Sequence, residues 1–208
     1  MTQTSIDPGI EDQALRGDIY RLLGRLLLAA PDTAVLRFLA GLEAEADDSE
    51  LAQAWQALAR AAAEATPRHL ERAHFRLLVG VIQGEITPYA SWYLNGTLMD
   101  APLVALRRDL RRLGIARIEP CRDPEDHLGA LCETMALLVA RQDAQAEAFF
   151  TAHLVAWAEP CFHDLAQADS PFYAATGRLG AAFMASERRR YDLPASLIAP
   201  RRLPLVTD

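Results

Sequence analysis

The 208-residue sequence contains no lysine, only three cysteines, and little valine, isoleucine or threonine. Because β-branched residues favour strands, their scarcity leaves a sheet little to build with, whereas abundant Leu and Ala favour helices. The cysteines (Cys121, Cys132 and Cys161) stand far apart. Their odd number and lack of CxxC spacing argue against a disulfide framework or a zinc knuckle. We therefore expect an all-α protein with reduced thiols.

Long apolar runs are also missing. No run approaches the ~18 residues that a membrane-spanning helix needs, and residues 1–9 lack the apolar core of a signal peptide. The net charge of −7 disfavours nucleic acid and anionic membranes as partners and suits a basic partner. We expect a cytoplasmic protein with no membrane span and no nucleic-acid partner.

Motifs of common enzyme classes are absent as well. The sequence has no GxGxxG, no P-loop and no GxSxG. Glu71 and His74 form one Glu-x-x-His motif, but a di-iron bundle needs two such motifs and two further glutamates. The arginine runs at 188–190 and 201–202 are interpreted as solvated charge. A helical metal- or nucleotide-dependent enzyme stays open as an alternative, without a complete site.

Apolar residues recur at helical spacing through most of the chain and predict a single bundle of about nine helices. Pro31 ends the first helix, Thr66 and Pro67 open a later one, and Pro160 should kink or split a helix over 143–168. The helix that Thr66 and Pro67 open is expected to bury Leu70, Phe75, Leu77, Leu78, Val81 and Ile82.

A loop over 119–124 is the best candidate for a hinge, because it combines two prolines with alternating charges. It separates an N-terminal part, 12–118, from C-terminal helices over 125–190, and an irregular tail follows over 191–208. The candidate hinge residues are Glu119, Pro120, Asp123 and Pro124. Asp123 is expected to cap a helix that starts at Pro124, which places Asp126 in its first turn.

Two stretches carry the residues most suited to binding. Gly84 and Pro88 interrupt the helical pattern. The stretch that follows them, up to Gly96, contains Tyr89, Trp92 and Tyr93. These rings either pack against the bundle or offer an adaptable contact area. The pair Asp126 and His127 either caps a helix or pairs with arginine on a ligand.

Four stretches, in the same order along the chain, resemble the TorD/DmsD/NarJ chaperone family. Residues 88–96 (PYASWYLNG) are similar to its Y-x-S-x-Y-L-x-G signature, and 119–129 (EPCRDPEDHLG) to its E-P-x-D-H hinge motif. Residues 149–157 (FFTAHLVAW) are similar to an F-F-x-x-H-L-x-x-W segment. Phe172, Tyr173, Gly177, Leu179 and Phe183 fit its last helix. The resemblance covers roughly residues 12–190.

The resemblance implies a chaperone, not an enzyme, for a molybdopterin oxidoreductase. The client would be a trimethylamine N-oxide, dimethyl sulfoxide or nitrate reductase, or a formate dehydrogenase. Such chaperones bind the twin-arginine signal peptide or N-terminus of the apo subunit, assist cofactor insertion and proofread export. Six residues become candidate peptide contacts: Tyr89, Trp92, Tyr93, Leu94, Asp126 and His127.

The resemblance also implies no resident cofactor, possible weak GTP binding, and a monomer or a domain-swapped dimer. If Asp126 and His127 face the peptide, replacing both with alanine should weaken leader binding and leave melting unchanged. An assembly factor that docks to a folded subunit without recognising its leader is the alternative, and it would keep its affinity after leader deletion.

Overall fold

The computed structural model describes residues 8–42, 49–81, 83–116 and 123–199. Within these ranges the chain forms ten α-helices and no strand, which confirms the predicted all-α class. The helices are α1 Pro8–Leu28, α2 Thr33–Ala40, α3 Glu50–Glu64, α4 Pro67–His74, α5 Ala90–Asn95, α6 Ala101–Arg112, α7 Leu128–Ala140, α8 Ala146–His153, α9 Ala158–Ala166 and α10 Pro171–Arg190.

Most helix ends follow from local sequence. The Asp32 carboxylate accepts the N–H of Val35 (2.9 Å) at the start of α2, and Ser49 accepts the N–H of Ala52 (3.2 Å) at the start of α3. These bonds satisfy N–H groups that have no partner within the helix. Gly114 follows α6 with φ +65°, a conformation that costs glycine little.

The helix that opens at Pro67 departs from its predicted course. After His74 the chain widens into a π-helical turn, Phe75–Val79, which ends at Gly80. A π turn holds more residues than an α turn, so the side chains after it no longer follow the 3.6-residue face. Leu70, Leu77 and Leu78 are buried as predicted, but Phe75 is 50% and Val81 92% exposed. The predicted burial of those two was wrong, and Ile82 lies outside the described residues.

The segment 143–168 splits into two helices, as predicted. The helix beyond the expected nine is α5, which lies in the stretch where Gly84 and Pro88 interrupt the helical pattern. The break lies at residues 154–157, ahead of Pro160. Pro160 is the third residue of α9. The first N–H groups of a helix have no partner within it, so proline costs little there.

The predicted start of α7 at Pro124 was wrong. The helix begins at Leu128, and His127 is its N-cap residue. The N–H of Leu128 instead donates to the carbonyl oxygen of Pro88 (2.7 Å), and the Asp126 carbonyl accepts the N–H of Ala90 (2.9 Å). Backbone groups committed to another segment cannot also extend the helix toward its N-terminus.

One hydrophobic cluster joins helices from both sides of the predicted hinge. α1 packs mainly against α7, while α10 contacts α9, α3 and α1. At Gly177, an added Cβ would lie 2.3 Å from the backbone nitrogen of Ala166, so α9 and α10 approach too closely for a larger residue. Of the predicted hinge, Glu119 and Pro120 lie outside the described residues, and Asp123 and Pro124 stand just before the turn into α7.

A buried ion pair ties α1 to α10. The Arg16 guanidinium donates to both oxygens of Glu187 (2.8 and 2.7 Å) and to the hydroxyl of Tyr191 (2.8 Å). Tyr20 donates a further bond to Glu187 (3.1 Å), whose carboxylate is almost fully buried. Such a bidentate pair fixes the two helices in one register.

Beyond α10, a short 3₁₀ turn at Ala195–Leu197 interrupts the predicted irregular tail, and the N–H of Ala199 donates to the carbonyl oxygen of Ala156 (2.8 Å). Residues 200–208 lie outside the described part. Across the described ranges, no helix is both long enough and apolar enough to cross a bilayer.

Candidate functional site

The two stretches that carry the candidate contacts meet in a short antiparallel crossing. Residues 88–90, just before α5, pair with residues 126–128, just before α7, and Tyr89 lies opposite His127. We call this pair of segments the crossover. Its two backbone hydrogen bonds join the carbonyl of Pro88 to Leu128 and the N–H of Ala90 to Asp126. The crossover therefore fixes the starts of α5 and α7 relative to each other.

Asp126 anchors the start of α5 from inside the protein. Its Oδ2 accepts the backbone N–H of Ser91 (2.9 Å) and the Ser91 hydroxyl (2.5 Å). Only 1% of Asp126 is exposed, and its Oδ1 makes no hydrogen bond with the described residues. Oδ2 thus stabilises the fold, whereas Oδ1 can still accept a hydrogen bond.

His127 caps α7 and is held neutral. Its Nδ1 accepts the N–H of Gly129 (3.0 Å), so the neutral ring carries its proton on Nε2. Burial, together with the nearby His74 ring, lowers the pKa of His127 to about 4. The Tyr89 ring packs edge-on against the imidazole, with ring centroids 4.9 Å apart. Neutral His127 thus caps α7 and packs against the Tyr89 ring.

The four remaining candidate residues divide into two groups. Tyr93 is buried: its hydroxyl donates to Asp164 (2.7 Å), and its ring lies 5.4 Å from that of Trp157. Tyr89, Trp92 and Leu94 are half-buried and keep part of their surface toward solvent. In this conformation, therefore, Tyr89, Trp92 and Leu94 are the apolar candidates with exposed surface, while Tyr93 attaches α5 to α9.

The structure brings the six candidate residues into one region, although the role of each as a peptide contact stays a prediction. Asp126 and His127 are buried and hydrogen-bonded. Replacing both with alanine would remove these bonds, so the expectation of unchanged melting does not fit the geometry. Binding experiments on this pair need substitutions that preserve the bonds.

Sequence reasoning missed two residues that organise the site, Ser91 and Asp100. The Ser91 hydroxyl, while donating to Asp126, accepts the N–H of Asp100 (3.2 Å). The Asp100 carboxylate accepts bonds from Asn95 (2.8 Å), from Thr97 (3.2 Å) and from the N–H of Ala101 (2.7 Å). These hydrogen bonds lower the pKa of the Asp100 carboxyl group, and the bond from Asn95 has the largest effect. Ser91 lies within residues 88–96, and the resemblance of that stretch to the family signature is the signal that could have identified it.

Glu71 and His74 lie in different environments. His74 is buried, and its Nδ1 lies 3.1 Å from the Tyr173 hydroxyl, whereas Glu71 is exposed. In the part of the chain that the structure describes, no group of three or more His, Cys, Asp or Glu side chains could hold a metal ion.

Fold and site together define an all-α bundle. Its hydrogen-bonded crossover contains Tyr89 and leads directly into α5, which carries Trp92. The family model for the nitrate reductase delta subunit matches residues 44–163, more than half of the chain and both segments of the crossover. The chain belongs to this family of NarJ/TorD-type maturation chaperones. The family consists of assembly chaperones for molybdoenzymes rather than enzymes, and its members bind a nitrate-reductase-like subunit. Comparison with curated proteins gives no match.

Proposed function

We propose that this chaperone works in the cytoplasm, where it binds the twin-arginine leader and the apo form of a molybdopterin oxidoreductase. It holds the subunit until the cofactor is inserted and the subunit can be exported. The observation that carries the proposal is the crossover, because its hydrogen bonds join both family-like motifs, and Trp92 and Leu94 follow in α5 with part of their surface exposed.

The chemistry of a leader suits this region. Its apolar run would pack on the half-buried aromatic surface, and its guanidinium groups would seek a carboxylate with a free lone pair. Asp126 Oδ1 is such an acceptor, but it is covered in the observed conformation. An arginine reaches it only if the crossover loosens, and the predicted hinge at 119–124 immediately precedes that segment.

The first experiment identifies the client. The full chain, purified from its host with its partners, should retain a molybdoenzyme catalytic subunit that mass spectrometry names. A peptide copy of that subunit's N-terminus is then titrated calorimetrically into the chain. Failure of the peptide to bind, while the subunit is retained, would favour the assembly factor that ignores the leader.

Trp92→Ala tests the aromatic surface. Loss of the ring should weaken leader binding about tenfold or more, since a large apolar contact is lost. Trp55→Ala is the matched control, because Trp55 is also half-buried but lies on α3, which packs on α2 and α10. Equal binding by both variants would remove Trp92 from the site.

Asp126→Asn tests the carboxylate without removing its shape, since the asparagine oxygen can still accept the Ser91 N–H. It should weaken a leader with two arginines and leave a leader with two glutamines unaffected. If the substitution weakens binding of both leaders equally, Asp126 acts through the fold alone.

Weak GTP binding and a swapped dimer stay predictions. Equilibrium dialysis checks the first, and analytical ultracentrifugation checks the second.

A further inference from the structure

The outer face of α6 combines exposed apolar side chains with two arginines, Arg108 and Arg111, of which Arg108 is paired with Asp109. Met99 and Val104 are 71% and 66% exposed. Together with Ala101, Ala105, Arg108 and Arg111 they line an open groove of about 570 Å³. We call this groove the α6 face. Residues 101, 104, 105, 108 and 111 follow helical spacing, so one stripe of α6 forms most of it.

The charge of the α6 face is positive within an acidic protein. Asp109 pairs with Arg108 (3.1 Å) and also with Arg112 (3.2 Å), so one carboxylate is shared by two guanidinium groups. Arg111 makes no ion pair with any described residue. Asp100, the acidic member of the groove, is engaged in capping α6 and ordering the preceding loop. Of the two arginines in the groove, therefore, Arg111 has no ion pair among the described residues, whereas Arg108 shares Asp109 with Arg112.

Met99 is held outward in a strained conformation. Its φ is +57°, in the left-handed region where a side chain costs about 1 kcal/mol or more. The bonds that Asn95, Thr97, Ser91 and Ala101 make around neighbouring Asp100 fix this conformation. An exposed methionine in this position is suited to binding, because methionine adapts to varied apolar surfaces.

We infer that the α6 face docks an acidic segment with an apolar anchor, carried by the client subunit outside its leader. Carboxylates of that segment would pair with Arg108 and Arg111, and the anchor would lie on Met99 and Val104. The leader itself is an unsuitable occupant, since its two arginines would meet arginines. This inference rests on the proposed client but concerns a different part of that client.

The test uses the full chain and the client's apo catalytic subunit with its leader removed. Arg108→Gln with Arg111→Gln should weaken binding of the leaderless subunit about tenfold and reduce its salt dependence, because two charges at the contact are lost. Arg68→Gln with Arg72→Gln, two exposed arginines one turn apart on α4, is the charge-matched control. Leader-peptide titration should be unchanged in both variants.

Met99→Gly separates binding from folding. Glycine relieves the strain, so the melting temperature should rise while affinity for the leaderless subunit falls. Gln142→Gly is the control, because Gln142 is also exposed with φ +52°, but follows α7. It should raise the melting temperature without affecting binding.

Three results would overturn the inference. The first is failure of the wild-type chain to bind the leaderless subunit, and the second is binding of that subunit by the α6-face variants as tightly as by wild type. The third is concentration-dependent self-association that Arg111→Gln abolishes, which would assign the face to a second copy of the chain. A failed leader titration alongside intact, Arg108- and Arg111-dependent subunit binding would refute leader recognition and leave this inference standing.

Discussion

Replacing His127 with asparagine should make the protein less sensitive to acid. The imidazole has a pKa of about 4 in the folded protein, against about 6.5 in an unfolded chain. Its neutral form stabilises the fold above pH 6.5, and that contribution is lost as the pH falls toward 4. Protonation also destroys the Nδ1 acceptor that caps α7. Asparagine keeps a capping oxygen and cannot be protonated in this range.

The size of the effect follows from the two pKa values. At pH 5, the difference between them costs about 2 kcal/mol of unfolding free energy relative to pH 7.5. Urea unfolding of wild type and His127→Asn at both pH values measures this loss. Burial also lowers the pKa of His74 and His153, but both proteins contain these residues and bury them alike. The interaction between His74 and His127 is lost with the substitution and is part of the measured difference. An equal loss of stability in the two proteins would refute the reasoning.

Three further substitutions test the packing that supports the site. Asp126→Ala should cost about 3 kcal/mol in urea unfolding, because the buried Ser91 N–H and hydroxyl lose their acceptor. Glu187→Gln should cost about 3 to 5 kcal/mol in the same assay, since it leaves the Arg16 guanidinium without its counter-charge; unchanged stability would mean that water replaces the pair. Gly177→Ala should lower the melting temperature by several degrees, corresponding to about 1 to 3 kcal/mol, because the new methyl group overlaps the backbone of α9.

Local sequence signals predicted those helix ends at which no distant segment competes. Asp32 before α2 and Gly114 after α6 act within their own turns, so sequence proximity suffices to identify them. The start of α7 was predicted wrongly because residues 88–90 take up its backbone groups, and nothing near Pro124 reveals a partner so far away along the chain. The π turn at Phe75 likewise has no signature in an apolar periodicity of 3.6 residues.

The candidate site was only partly predictable for a related reason. Resemblance of residues 88–96 and 119–129 to one family indicated that both stretches matter, but not that they pair with each other. Periodicity also could not show that Asp126 faces inward, because its burial depends on Ser91, 35 positions earlier. The family match supports the chaperone class, whereas individual peptide contacts await the titrations described above.

The packing of α1 on α7 has a consequence for synthesis on the ribosome. About a hundred residues separate the end of α1 at Leu28 from the beginning of α7 at Leu128. At typical elongation rates of 5–20 residues per second, synthesis of α7 begins roughly 5 to 20 seconds after α1 is complete. During that interval the nascent chain exposes Leu23, Leu26 and Leu27, which are buried in the finished fold. A protein that guards another polypeptide during assembly is therefore itself vulnerable to aggregation while it is being made.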